Sequence, residues 1–326
     1  MHGVKRKQWT QELWRQKREQ DRKRIAQYRT LVNKVLDLRD QRVFNKEVLK
    51  YTTQLLKINP EYNAAWNYRR DIIVNLSDEL DNDFWENELA FSMLLLKDYP
   101  KVYWIWNHRN WTLKSHKDSS VNIWLRELAI VNKVLQMDPR NYHGWHYRRV
   151  LLANIESMTS ESRDKEELDY ATSNINKNIS NYSAWHQKAV LIPRMFAKNE
   201  VPDRRKFVED EFRYIINAIY TDAEDQSVWF YIEWFVKNGI FMEALGRESF
   251  IKQLQDLQQN VLAINKDDFE FSGKQNNWCL KILIVLEDVL KSLSLQFTPH
   301  LQEYLEQLIE ADPLRKNRYL HLLNRK

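Results

Sequence analysis

The sequence predicts an all-α protein, a right-handed α-solenoid of helical hairpins with a crescent outline. Three observations predict it. Tryptophans recur at a nearly constant interval, and an amphipathic stretch with helical spacing precedes them. Glycine is nearly absent, at 5 of 326 residues, where roughly 7% is usual. Few positions can therefore take positive φ, which argues against phosphate loops, dinucleotide-binding turns and chains of tight β-hairpins.

Composition narrows the class further. Apolar residues make up 43% and charged residues 29%, the balance of a soluble folded chain. The pI near 9.0 reflects one segment. Residues 1–29 hold ten Lys/Arg against Glu12, Glu19 and Asp21, and the remainder carries 40 basic and 42 acidic residues. A nucleic-acid binder would spread its positive charge along a face, so no nucleic acid is expected. The lone cysteine, Cys279, points to a reducing compartment, and the absence of long apolar runs excludes stable membrane insertion. The expectation is a cytoplasmic protein.

Along the chain, residues 1–42 form a basic N-terminal region, with 9–42 reading as a long polar helix. Its charge suits a solvated helix face, an acidic surface on a partner, or anionic membrane. The repeats follow over about 44–245. Trp66, Trp106, Trp145, Trp185 and Trp229 mark them, in steps of 40, 39, 40 and 44. Asn59-Pro-Glu-Tyr-Asn-Ala-Ala-Trp66 aligns with Tyr99-Pro-Lys-Val-Tyr-Trp-Ile-Trp106 and with Asp138-Pro-Arg-Asn-Tyr-His-Gly-Trp145. Ile179-Ser-Asn-Tyr-Ser-Ala-Trp185 and Asp225-Gln-Ser-Val-Trp229 are looser copies, and Asp312-Pro repeats the spacing with Tyr319 in the Trp place. Proline cannot continue a helix, so each unit reads as helix, turn, helix. Such a hairpin buries its apolar face only by stacking on a neighbour, which makes the repeated Trp a core residue. Loops are expected at 114–120, 156–165, 196–206 and 265–277. C-terminal helices fill about 246–326, one of them starting at Thr298-Pro299. No linker splits the chain, so 1–326 reads as one domain.

Arg69, Arg109 and Arg148 follow their Trp by three, on the same helix face. Their recurrence points to stacking on an aromatic ring or pairing with a carboxylate between hairpins. Lys188 and Ile232 stand there later, so this network should weaken toward the C-terminus. The eight histidines and Cys279 form no zinc-ligand spacing, and His143 with His146 lacks a third ligand. No P-loop, nucleophile elbow or metalloprotease motif occurs.

The Pro-X-X-Tyr-X-X-Trp-X-X-Arg pattern at this interval resembles the repeat of protein prenyltransferase α subunits, over about 44–325. Met1-His2-Gly3, Asn181-Tyr-Ser-Ala-Trp185-His and Thr221-Asp-Ala-Glu-Asp-Gln-Ser-Val-Trp229 resemble the type II branch in its short fungal form. The resemblance implies an obligate heterodimer with a β subunit that carries the zinc and most of the lipid pocket. It implies transfer of geranylgeranyl, bound as its diphosphate at the subunit interface, to C-terminal cysteines of Rab GTPases presented by an escort protein. Lys101, five before Trp106, matches the α-subunit lysine that stabilises the departing diphosphate. Glu61, Arg140 and Ser180 occupy that place in other repeats, so the fold does not demand a lysine there. Tyr103, Tyr142 and His143 match positions near the lipid and substrate. His2 resembles an inhibitory contact to the partner's zinc. Two alternatives stay open: an α subunit of the farnesyl or type I geranylgeranyl enzyme acting on CaaX proteins, and a non-catalytic helical-repeat adaptor.

Overall fold

The computed structural model of the chain describes residues 10–116, 120–293 and 299–324. Among them it is an all-α solenoid of sixteen α-helices with no strand. Two compact units share the chain, one of 1–135 with 141–159, the other of 136–140 with 160–326.

In the first unit, α1 (Gln11–Asp40) starts on Thr10, whose hydroxyl accepts from the Leu13 N–H. Only Val35 of its 30 residues is buried, and the Arg- and Lys-rich first half faces solvent. The hairpins follow: α2 (Lys46–Ile58) with α3 (Asn63–Asn75), α4 (Asn82–Asp98) with α5 (Tyr103–Ser115), and α6 (Val121–Met137) with α7 (Tyr142–Thr159). The second unit continues with α8 (Asp164–Lys177) and α9 (Tyr182–Ala197), then α10 (Arg204–Thr221) and α11 (Gln226–Lys237). The short α12 (Gly239–Leu245) leads to α13 (Arg247–Ser272) and α14 (Asn277–Ser292), and α15 (Leu301–Ala311) with α16 (Lys316–Leu323) closes the chain.

The turn inside each hairpin is a fixed device. Asn59, Tyr99, Asn178, Asp222 and Asp312 leave helical geometry with φ between −131° and −156°. Two of these precede a residue other than proline, so the extended conformation belongs to the turn and proline merely favours it. The Asn or Asp oxygen accepts the N–H two residues on, at 3.1 Å for Asn59 to Glu61 and for Asn178 to Ser180. That Asx turn explains the residue preference.

Each recurring Trp does more than fill the core. The indole N–H of Trp66, Trp106, Trp185 and Trp229 donates to the carbonyl six residues earlier, at 2.8 to 2.9 Å. A buried indole needs a partner, and here it ties the turn to its own second helix. Trp145 is equally buried. Tyr319, in the Trp place, instead gives its hydroxyl to Asp312 at 2.7 Å.

A ladder of buried glutamates joins the hairpins. Glu88, Glu127, Glu167 and Glu211 precede Trp106, Trp145, Trp185 and Trp229 at one constant spacing, each buried on the first helix of its hairpin. Each is met by the residue two after that Trp: His108 at 2.6 Å, Tyr147 at 2.9 Å, Gln187 at 3.2 Å and Tyr231 at 2.7 Å. The cation three after the preceding Trp reaches the same carboxylate from the neighbouring hairpin. Arg69 holds Glu88 through two bonds of 2.6 Å, Arg109 holds Glu127 through two of 2.7 Å, and Lys188 holds Glu211 through one of 2.8 Å. Ile232, apolar and buried, ends the ionic series. Arg148 is buried and donates to Asn132.

The loops expected at 156–165 and 196–206 shorten to 160–163 and 198–203, and two other boundaries differ more. The loop expected at 265–277 shrinks to 273–276, because α13 continues through its polar end to Ser272. A Lys266–Glu270 pair supports that exposed turn, and Gly273, at φ 70°, ends it in left-handed geometry. Thr298 lies outside the described residues. Pro299 precedes the helix start, and the N–H of His300 is met by Glu287 at 3.0 Å.

Candidate functional site

Within the first unit, the turn before α5 and the start of α7 come together. Lys101 lies exposed in the turn, and Tyr103 opens α5 about half exposed. Val102 supplies no side-chain cap, so the first-turn N–H groups of α5 and its positive dipole end lie beside Tyr103 and Lys101. Tyr142 opens α7 with 67% of its surface exposed. His143, next to it, is buried, its ring 6.0 Å from Tyr103 and stacked at 13° on Trp106.

His143 Nε2 lies 3.2 Å from the Lys101 carbonyl, which only a protonated nitrogen can serve. Burial lowers the pKa of this imidazole below its ordinary value, and His146 adds to the effect. The ring is therefore neutral at pH 7, with its proton on Nε2. Asn141, buried at the mouth of α7, donates from Nδ2 to the Pro100 carbonyl at 3.1 Å and caps α7 by accepting from Gly144 N–H at 3.1 Å.

The arrangement presents one lysine, an open helix start and two exposed phenols around a buried, neutral base. Cations and N–H donors held beside an aromatic rim are what a negatively charged group joined to an apolar chain requires. His146 is exposed while His143 is buried. Among the described residues no group of three or more His, Cys, Asp or Glu gathers as a metal site. Burial raises the thiol pKa of Cys279, followed by the charges of Asp268 and Glu224. His2 lies outside the described residues. No described helix is long and apolar enough to cross a membrane.

Asn141 and the glutamate ladder were missing from the sequence-derived site. The ladder left a signal in its constant spacing to Trp. Asn141 left a weaker one, since Asn181 shares its place in the next repeat.

Residues 45–76, 85–116, 124–155, 164–195 and 208–239 match the protein prenyltransferase alpha subunit repeat. The chain is 60% identical to the geranylgeranyl transferase type-2 subunit alpha of Saccharomyces cerevisiae, over 99% of both proteins. It is 33% identical to the Candida albicans protein of that name, over 99% of this chain and 97% of the other. The human protein of that name is 30% identical over 75% of this chain, a match spanning 43% of the human protein. In fold it resembles Candida albicans protein geranylgeranyltransferase-I complexed with GGPP, with a TM-score of 0.66, 20% identity, and coverage of 92% and 90%. With five matching repeats and an identity to the Saccharomyces cerevisiae protein sustained over nearly all of both chains, the chain belongs to the protein prenyltransferase alpha subunit family, among its geranylgeranyl transferase type-2 members.

Proposed function

We propose that this chain is the α subunit of a cytoplasmic Rab geranylgeranyltransferase, active as a heterodimer with a β subunit. The pair transfers geranylgeranyl from its diphosphate to C-terminal cysteines of Rab GTPases presented by an escort protein. The zinc of the reaction belongs, on this reading, to the β subunit. The helical repeats serve, on this reading, as the scaffold for that partner.

The observation that carries the site is Lys101, exposed at the uncapped start of α5, its carbonyl met by His143 next to the exposed Tyr142. In the reaction the cysteine sulfur forms a bond to the first lipid carbon while that carbon's bond to the diphosphate oxygen breaks. Positive character grows on the carbon and negative charge on the departing oxygens. The Lys101 ammonium and the first-turn N–H groups of α5 stabilise those oxygens as the charge develops, which lowers the barrier rather than tightening the ground state. Tyr103 and Tyr142 line the lipid and the substrate tail.

The test is a single-turnover assay of the purified αβ heterodimer on an escort–Rab complex. Lys101→Ala is expected to slow transfer by about 100-fold, the scale of losing one transition-state donor. A full rate in that variant refutes the role. Efficient modification of a free CaaX peptide without escort would place the chain in the other branch of the family. A chain that binds no β subunit would be an adaptor.

A further inference from the structure

The turn that carries Lys101 is held differently from its counterparts. In four repeats the residue in Lys101's place has its N–H bound by the Asx side chain two residues earlier. These pairs are Asn59 with Glu61, Asp138 with Arg140, Asn178 with Ser180 and Asp222 with Glu224, at 3.0 to 3.3 Å. In the second repeat that place belongs to Tyr99, whose phenol cannot fold back onto its own turn. The hold comes instead from the next hairpin. Asn141 Nδ2 reaches the Pro100 carbonyl at 3.1 Å, beside the Trp106 indole at 2.9 Å, and His143 Nε2 reaches the Lys101 carbonyl at 3.2 Å. Two successive carbonyls of one exposed turn are thus gripped by two buried side chains at the start of α7.

We propose that Asn141 and His143 are positioning residues that clamp the Pro100 and Lys101 carbonyls, one in each peptide flanking the Lys101 Cα, and so fix the direction in which the Lys101 side chain leaves the turn. His143, on this assignment, acts through Lys101 and not by touching the substrate. The inference rests on the role assigned to Lys101 above.

The physics favours a clamp over a simple packing contact. Lysine has four rotatable bonds, and its ammonium swings through several ångströms when its peptide rotates. A displacement of about 1 Å at a reacting group can cost on the order of 100-fold in rate. Two hydrogen bonds from side chains already immobilised by burial remove that freedom before substrate arrives. An asparagine also reaches across at Asn276, whose Nδ2 lies 3.4 Å from the Ala223 carbonyl, so the single Asn bond is a device of the scaffold. The bond from His143 to the carbonyl of Lys101 itself makes the second repeat's turn a two-point grip.

A double-mutant cycle in the αβ heterodimer decides the matter. Asn141→Ser keeps a good α7 cap while losing the reach to Pro100. His143→Ala loses the second grip, and His143→Gln restores an N–H donor. Asn141→Ser and His143→Ala are each expected to lower kcat at least 5-fold, with the KM for the Rab complex within 2-fold of wild type. His143→Gln should recover most of the rate. In a Lys101→Ala background the same substitutions should cost less than 2-fold more. Full penalties in that background overturn the clamp while leaving the Lys101 assignment intact, as does a wild-type rate in both single variants. A silent Lys101→Ala overturns the assignment and the clamp together. Heterodimer yield and far-UV circular dichroism of each variant separate these outcomes from misfolding.

Discussion

Arg69 forks onto Glu88, 19 residues along the chain, donating from Nε and Nη2 to its two oxygens at 2.6 Å each, with both side chains buried. Its remaining nitrogen binds the Leu49 carbonyl and the hydroxyls of Thr52 and Thr53. One side chain therefore closes its own hairpin and fastens it to the next. A buried pair adds little over an apolar pair of equal volume, but removing one partner strands the other. Arg69→Met is expected to lower the unfolding free energy by about 3–5 kcal/mol in urea titration. Adding Glu88→Gln should return part of that loss, because the stranded charge disappears. Wild-type stability in Arg69→Met alone would show that the ladder does not hold the hairpins.

Much of this was legible from residues. The Trp interval located five hairpins, and the arginines three beyond pointed to pairing between them. The carboxylates escaped notice because a glutamate on a helix reads as solvent-facing. Only a buried cation opposite makes Glu88 or Glu127 tolerable inside, and that cation comes from the preceding hairpin. Lys101 stood out through its match to the family's diphosphate lysine, and the variation of its place between repeats showed only that the fold does not demand a lysine there. The grip on its turn could not be read, since it joins positions a whole repeat apart. The polar end of α13 was misread as loop because composition alone does not separate a solvated helical turn from coil.

The indole bonds can be separated from indole packing. In Trp185→Phe the ring stays apolar, but the Ile179 carbonyl loses its donor at 2.8 Å. A buried acceptor left unmet costs about 1–3 kcal/mol. Thermal melting should register that loss while prenyl transfer keeps its rate at permissive temperature. Trp106→Phe removes the donor from Pro100, next to Lys101, and should lower both stability and kcat. Equal rates in the two variants would dissociate the Pro100 turn from catalysis.

Acid should loosen the same ladder in two stages. Burial lowers the pKa of His108 below 6.5 despite Glu88 pulling the other way. The bonding agrees, because Arg70 donates to Nδ1 at 3.3 Å and leaves the proton on Nε2 toward Glu88 at 2.6 Å. Burial alone would raise Glu88, yet Arg69 and then His108 hold its carboxyl well below 4.5. Both groups bind protons more readily when unfolded, so stability falls as pH drops, from about 6.5 for His108 and from about 4.5 for Glu88. His108→Gln should flatten the stability profile between pH 6.5 and 5 relative to wild type. The substitution copies Gln187, which already sits 3.2 Å from Glu167 in the equivalent place. An unchanged slope would mean that His108 does not titrate with folding.

The exposed tyrosines offer the sharpest division between scaffold and site. Tyr142 and Tyr182 each stand three before their Trp and open their helices half exposed or more. Tyr182 packs edge-on against Phe230 at 6.2 Å, a contact that belongs to its own unit. Tyr142 instead lies 3.9 Å from His143, beside the Lys101 turn. Removing an exposed ring costs little stability, roughly within 0.5 kcal/mol for a surface change. Tyr142→Ala should therefore melt like wild type, yet raise the KM for geranylgeranyl diphosphate about 10-fold, the loss of about 1.4 kcal/mol of apolar contact. Tyr182→Ala should leave that KM unchanged. Equal effects from the two would make the tyrosine a repeat feature, and the lipid would then have to be met elsewhere than at the start of α7.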